Sequence, residues 1–276
     1  MMRSCFAAGA LALAAVVTVL PKPAAAQVQS VNVADYQDDF QVGTPRPGWS
    51  YLWNANGPLG NPANYAPLVA DNGRYESVSN GLYPDPAPGS FVAAGTSPVD
   101  LAHYPYELPG LPPMPQTIVR PGQGRLQDAA GFERAVILAY TFSAQDFADA
   151  GVPVGQRALA SITDYDFAVA LESVDGVSAR VFRHTDATPV LDFSLDNPPP
   201  FVPPFRFQTL MDPRERSVGE YSVGETVYFA VGPNLNDTGD EMRLDFTLGL
   251  KPVPEPTTLA LLAPLGVGLL ARRRRR

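Results

Sequence analysis

The sequence predicts an all-β body, a β-sandwich of jelly-roll type with long proline-rich loops, flanked by two terminal segments of another kind. Three observations indicate this fold class. Alternation of apolar and polar residues with the period of a strand recurs along the second half of the chain. Proline and glycine, at 30 and 23 of 276 residues, separate these short segments. The best helix candidate, residues 142–150, is short and is stopped by Gly151 and Pro153.

The clearest strand pattern spans residues 164–171, and its apolar face holds Tyr165, Phe167, Val169 and Leu171. Asp175-Gly176 follows, a pair that favours tight turns, and residues 177–183 then alternate again. We therefore expect these two segments to pair as a hairpin. Further strands are predicted over residues 135–142, 205–210, 226–231 and 243–250, the last with Leu244, Phe246, Leu248 and Leu250 pointing inward.

Two proline clusters predict long surface loops. Residues 105–124 carry prolines at 105, 109, 112, 113, 115 and 121, and such a segment forms neither a helix nor a central strand. The body, residues 27–250, could divide into two domains near 105–124, although a single sandwich is favoured. Residues 198–204 are expected to form a second exposed loop.

Composition and charge exclude several function classes. With 45% hydrophobic residues, the chain can bury a sizeable core. Seven of its 20 basic residues lie in the two ends, so residues 27–256 carry 13 basic against 28 acidic residues and would repel nucleic acid. The single cysteine, Cys5, precedes the body, which therefore has no thiol for a disulfide, a metal or nucleophilic catalysis.

The N-terminal 26 residues have the three parts of a secretory signal peptide. Arg3 gives the positive start, residues 6–20 the apolar stretch, and Ala24-Ala25-Ala26 a small-residue cleavage site. The apolar stretch is shorter than the roughly 20 residues that span a bilayer. We expect export through the Sec translocon and cleavage by signal peptidase after Ala26.

Residues 251–276 combine a Pro-Glu-Pro motif, an apolar segment and a basic cluster. Val253-Pro254-Glu255-Pro256 precedes the leucine-rich residues 257–271, and Arg272, Arg273, Arg274, Arg275 and Arg276 follow. The apolar segment is of marginal length for spanning, but its leucines make it strongly apolar and the arginines can snorkel, so it predicts a transmembrane helix. The arginines would keep its end cytoplasmic, so that the acidic body is exported. The two prolines favour an extended chain before the membrane, as a protease cleft requires.

This order closely resembles the PEP-CTERM sorting signal of Gram-negative and related bacteria, which exosortases recognise. The resemblance covers residues 253–276 and includes all three parts in order. It implies cleavage by an exosortase near Pro254-Glu255-Pro256, with the body released or re-anchored outside the cell. The family is associated with biofilm-forming, exopolysaccharide-producing bacteria. A plain membrane anchor with a chance Pro-Glu-Pro is the alternative.

The body also resembles, more weakly, a jelly-roll module of secreted proteins from bacteria with this sorting system. The resemblance depends on Asp39-Phe40, Gly48-Trp49, residues 224–234 and Asp245-Phe246-Thr247. It implies that the first and last strands pair.

Trp49, Tyr51 and Trp53 alternate and would share one face of a strand. Such a row could form a platform for sugar rings, whereas a place in the core is the commoner role of large aromatic residues.

A second candidate is a weak calcium site in residues 234–241. Asn234, Asn236, Asp237 and Asp240 supply oxygen ligands, while Thr238, Gly239 and Asp245 echo the spacing of a calcium loop. A polar hairpin loop explains the same residues. Apart from this calcium, the sequence predicts no cofactor.

Catalytic patterns are weak. The carboxylate pairs Asp192 with Asp196 and Asp212 with Glu215 could be nominated for glycoside hydrolysis, but acidic surface residues are abundant. Neither His103 nor His184 accompanies a serine-nucleophile motif. We therefore expect a non-enzymatic protein of the cell surface or extracellular matrix that could bind exopolysaccharide. A secreted polysaccharide-active hydrolase or lyase is the alternative.

Overall fold

The computed structural model describes residues 29–41, 43–71, 74–76, 91–96, 117–123, 133–170, 176–196, 207–212, 215–233 and 242–253. The first described strands are β1 (Val31–Asp35), β2 (Trp49–Trp53), β3 (Ala66–Pro67), β4 (Val69–Asp71), β5 (Arg74–Glu76), β6 (Phe91–Thr96), β7 (Thr117–Gln123) and β8 (Val136–Thr141). They are followed by β9 (Ala158–Ala170), β10 (Gly176–Arg183), β11 (Leu191–Asp192), β12 (Leu195–Asp196), β13 (Phe207–Asp212), β14 (Arg216–Tyr221), β15 (Thr226–Pro233) and β16 (Met242–Pro252). The short helices are α1 (Tyr36–Asp39) and α2 (Ala144–Asp149).

The described strands form two antiparallel sheets. Sheet A has the order β13-β9-β16-β7-β6-β5-β4, with β14 also pairing with β9 and β1 with β16. Sheet B has the order β11-β10-β15-β8-β2-β3, with β12 also pairing with β10. The prediction of an all-β body is confirmed, and each strand segment predicted from the sequence overlaps a strand of the structure.

The main core lies between the inner faces of the two sheets. In β10, Val177, Ala179 and Val181 are fully buried, and alternate residues of β15 and β8 lie beside them on the same inner face of sheet B. Aromatic rings join the sheets, since Phe229 of sheet B stacks on Phe246 of sheet A with centroids 4.9 Å apart. The period-two pattern therefore directs large side chains into one shared interior.

The predicted hairpin between residues 164–171 and 177–183 is wrong. Both segments are strands, but β9 lies in sheet A and pairs with β16, whereas β10 lies in sheet B and pairs with β15. Each strand buries its apolar face toward the interior, and this alternation is the same whether the chain turns within one sheet or crosses to the other.

The prediction of a surface loop over residues 105–124 is wrong at its end, because Thr117–Gln123 forms β7 inside sheet A. Arg120 pairs with Ala93 and Gln123 with Phe91, so the ladder bulges around Pro121. Proline has no backbone N–H to donate, and the ladder does not require one at a bulge. The bulge therefore allows Pro121 to lie within a strand. Each of the two sheets contains strands that precede residues 105–124 in the sequence and strands that follow them.

A bulge in β9 adjusts which side chains point inward. Asp164 has a φ of 48° and is skipped where Thr163 pairs with Thr247 and Tyr165 with Phe246. The extra residue changes the parity of the strand, so that Ile162 and Tyr165 are both buried.

The short helix predicted over residues 142–150 is confirmed as α2. Its first turn has a capping box, in which the Ser143 hydroxyl accepts from the Asp146 amide and the Asp146 carboxylate accepts from the Ser143 amide. No helix within the described ranges is both long and apolar enough to span a bilayer. The predicted signal peptide, the predicted transmembrane segment, the arginine cluster and the proline loop at 198–204 lie outside the described residues.

Candidate functional site

The aromatic row of β2 lies largely in the core. Trp49 is 4% exposed and Tyr51 is 3% exposed. The Trp49 ring lies 5.1 Å from that of Tyr140, and its Nε1 donates a hydrogen bond of 3.1 Å to Asp39. The core prediction is confirmed for Trp49 and Tyr51. The sugar-platform prediction is wrong for both, because their faces are covered by other side chains.

Trp53 lies at the end of the row and is partly buried. The Arg134 guanidinium lies over the Trp53 ring at 5.3 Å from its centroid. The same guanidinium donates hydrogen bonds of 2.7 Å to the carbonyls of Asn54 and Ala55. This stacking covers one face of Trp53 and fixes the chain where it leaves β2.

A buried polar network holds the segment after β2. Asn54 is fully buried, donates through Nδ2 to the carbonyls of Gly57 and Glu133, and accepts from the Ala135 amide at 2.7 Å. Glu133 pairs with Arg180 at 2.8 Å. Burial raises the pKa of Glu133, although Arg180 partly offsets this effect. Because the polar groups of Asn54 and Glu133 have hydrogen-bond partners, this network indicates a structural role rather than a reactive group.

A cluster of acidic residues lies where the end of β1 meets β16. Burial and the neighbouring carboxylates of Asp35 and Asp38 raise the pKa of Asp245 to about 6, although the Gln37 amide hydrogen-bonds to this carboxylate. Thr247 donates a 2.9 Å hydrogen bond to Asp35. Among the described residues, no three histidine, cysteine, aspartate or glutamate side chains are grouped to hold a metal ion. The calcium candidates Asn234, Asn236, Asp237 and Asp240 lie outside the described residues.

Comparison with protein-family models, with curated proteins and with solved structures finds no match to this chain.

Among the described residues, a cavity of about 10 Å³ lies between the two sheets and is lined by apolar groups that include Trp49, Phe229 and Phe246. It holds about one water-sized sphere, which is far too small for a sugar ring.

The nominated catalytic residues that the structure describes are not brought together. Asp192 accepts hydrogen bonds from the amide and hydroxyl of Ser194. His184 is exposed in the turn after β10, with a φ of 43°. The side chains of Asp196 and Asp212 lie outside the description, as does His103.

The two ends of the described body meet at one edge of sheet A. β1 pairs with β16, with Val31 opposite Leu250, as the resemblance to the jelly-roll module implied. Glu215 accepts hydrogen bonds from Lys251 at 2.6 Å and from Ser30 at 2.8 Å. Sequence reasoning missed this cluster, because its members are far apart in the chain and match no motif.

Val253, the first residue of the predicted sorting motif, directly follows β16 and is partly buried. Pro254, Glu255 and Pro256 lie outside the described residues.

Proposed function

We propose that this chain is an exported, exosortase-processed protein of the PEP-CTERM type that acts without enzymatic activity at the cell surface or in the extracellular matrix. The observation that carries the proposal is the order of Val253-Pro254-Glu255-Pro256, the apolar residues 257–271 and five arginines. This order combines an extended cleavage segment, a membrane segment and a cytoplasmic stop signal.

The position of the sorting motif relative to the fold supports the proposal. β16 ends at Pro252, one residue before the motif. Every described strand pair lies between Val31 and Pro252, so removal of residues 1–26 and of the residues after the motif breaks none of these pairs. The predicted processing is therefore compatible with an intact sandwich.

The pairing of β1 with β16 also supports a jelly-roll arrangement for the body, which we propose as the finer description of the fold. Exopolysaccharide is the candidate partner, bound by a surface that does not include the buried faces of Trp49 and Tyr51.

Fractionation of the native bacterium tests the sorting step. Replacement of both Pro254 and Glu255 by alanine should retain the chain in the inner membrane, because the extended cleavage segment is lost. Glu220→Ala, an exposed acidic substitution in β14, serves as the control and should leave release unchanged. Release of the double variant at the normal rate would contradict the proposal.

A further inference from the structure

The end of β16 is paired with β9 to its last residue and with β1 up to Leu250. Leu250 lies between Ala160 of β9 and Val31 of β1, whereas Lys251 and Pro252 pair with Leu159 and Ala158 of β9 only. Strand pairing therefore occupies both sides of β16 up to Leu250 and one side of its last two residues. A protease that binds an extended substrate needs the same backbone groups, so strand pairing and enzyme binding compete.

A side-chain cluster closes over this strand end. The Glu215 carboxylate accepts from Lys251 Nζ at 2.6 Å and from Ser30 Oγ at 2.8 Å, and the Ser30 and Ser161 hydroxyls are 3.1 Å apart. The side chain of Lys251 is 17% exposed. Burial opposes ionisation, but the hydrogen bonds from Lys251, Ser30 and Ser161 lower the pKa of Glu215 below its usual value. The carboxylate is therefore charged at neutral pH and binds the two chain ends together.

Gly249 makes room for this cluster. A Cβ atom built on Gly249 would lie 2.9 Å from the Cβ atom of Ser30. A larger residue would push Ser30 away from β16. The close approach of Ser30 to β16 thus depends on a glycine as well as on the charged pair.

We propose that Glu215, Lys251 and Ser30 form a latch that keeps the end of β16 in sheet A and thereby limits access of the processing enzyme to the sorting motif. This inference rests on the proposed function, since it concerns the cleavage that the motif predicts. Opening of the latch frees residues just before the motif for the enzyme. Processing then follows the small population in which the strand end is open.

The latch is tested in the full-length precursor, purified from a strain without exosortase. Lys251→Met removes the ammonium group but keeps the apolar stem, and Glu215→Gln removes the negative charge. Loss of the ion pair should accelerate hydrogen exchange of the amides of residues 248–251 about fivefold. Lys251→Arg retains the charge and should exchange as the wild type does.

Processing is measured for the same variants in the strain that contains exosortase, by pulse-chase labelling of the precursor. Lys251→Met and Glu215→Gln should be processed about fivefold faster, because cleavage follows the open population. Arg183→Met removes a partly exposed ion pair of 2.9 Å with Asp186 at the end of β10 in sheet B and serves as the control, with both rates unchanged.

Each outcome decides between the two proposals. Faster exchange with faster processing supports the latch. Unchanged exchange, or faster exchange with unchanged or slower processing, overturns the latch and leaves the proposed function intact. A wild-type precursor that exosortase does not process overturns the proposed function, and the latch with it.

Discussion

Truncation of Trp49 distinguishes a core role from a sugar-binding role. Trp49 is 4% exposed, and rings of Tyr36, Tyr140 and Phe246 surround it at centroid distances of 5.4, 5.1 and 6.0 Å. Burial of about 200 Å² at about 25 cal/mol per Å² gives about 5 kcal/mol, near the top of the range of about 3–5 kcal/mol for Trp→Ala in cores. We therefore expect Trp49→Ala to lower the free energy of unfolding by about 4 kcal/mol.

Trp49→Phe is the matched control. Phenylalanine keeps most of the ring packing but loses the Nε1 hydrogen bond to Asp39, so the expected cost is about 1–2 kcal/mol. Urea unfolding followed by far-ultraviolet circular dichroism measures both variants, because this signal comes mainly from the backbone and persists when the tryptophan is replaced. The melting temperature of Trp49→Ala should fall by roughly 8–16 °C.

The same variants are assayed for retention on immobilised exopolysaccharide. At a temperature where Trp49→Ala remains folded, its retention should equal that of the wild type. A cost below about 1 kcal/mol together with weaker retention would refute the core assignment, because it would place the ring on an accessible surface.

Three further substitutions test the packing and electrostatics of the sandwich. The raised pKa of Asp245 means that the folded state binds a proton more tightly than the unfolded state, so the stability contributed by this group falls as pH rises from about 4 through 6. In urea unfolding, Asp245→Asn should therefore raise the free energy of unfolding by about 1 kcal/mol at pH 7.5, a figure reduced to allow for partial exposure. The same variant should show no gain at pH 4. Gly48→Ala should cost about 2–3 kcal/mol in thermal unfolding, because Gly48 has a φ of 90° and a Cβ atom would lie 2.5 Å from the Tyr140 ring; a neutral effect would contradict this geometry. Asn54→Ala should cost about 2–3 kcal/mol in the same assay, because the backbone groups of Gly57, Glu133 and Ala135 lose their hydrogen-bond partner. A loss below about 0.5 kcal/mol, the usual effect of a surface substitution, would argue against a structural role for the Asn54 network.

Alternation in the sequence was sufficient to predict individual strands. Leu244, Phe246, Leu248 and Leu250 are all buried, as the pattern of residues 243–250 predicted. Burial of one face is a local property of a strand and is therefore visible in a single segment.

Pairing between strands could not be read from the same patterns. The turn signal Asp175-Gly176 predicted a hairpin, yet β9, the strand before it, lies in sheet A and β10, the strand after it, lies in sheet B. Pro121 predicted a loop, yet a bulge accommodates it in β7. Both outcomes depend on contacts between residues far apart in the sequence, which local propensity does not encode.

The candidate sites show the same division. The alternation of Trp49 and Tyr51 placed them on one face, but it did not say whether that face meets solvent or the opposite sheet. The cluster of Ser30, Glu215 and Lys251 exists only once β1 lies against β16. Its members are ordinary surface residue types, so the sequence carries no signal for it.

The central claim is that the chain is exported and loses both terminal segments. Mass spectrometry of the two ends of the protein, in strains with and without exosortase, tests it most directly. The account predicts a protein that begins at Gln27 in both strains. Its C-terminus should lie within residues 253–256 only in the strain that contains exosortase. An intact precursor in the cytoplasm, with its leader and its five arginines, would contradict it.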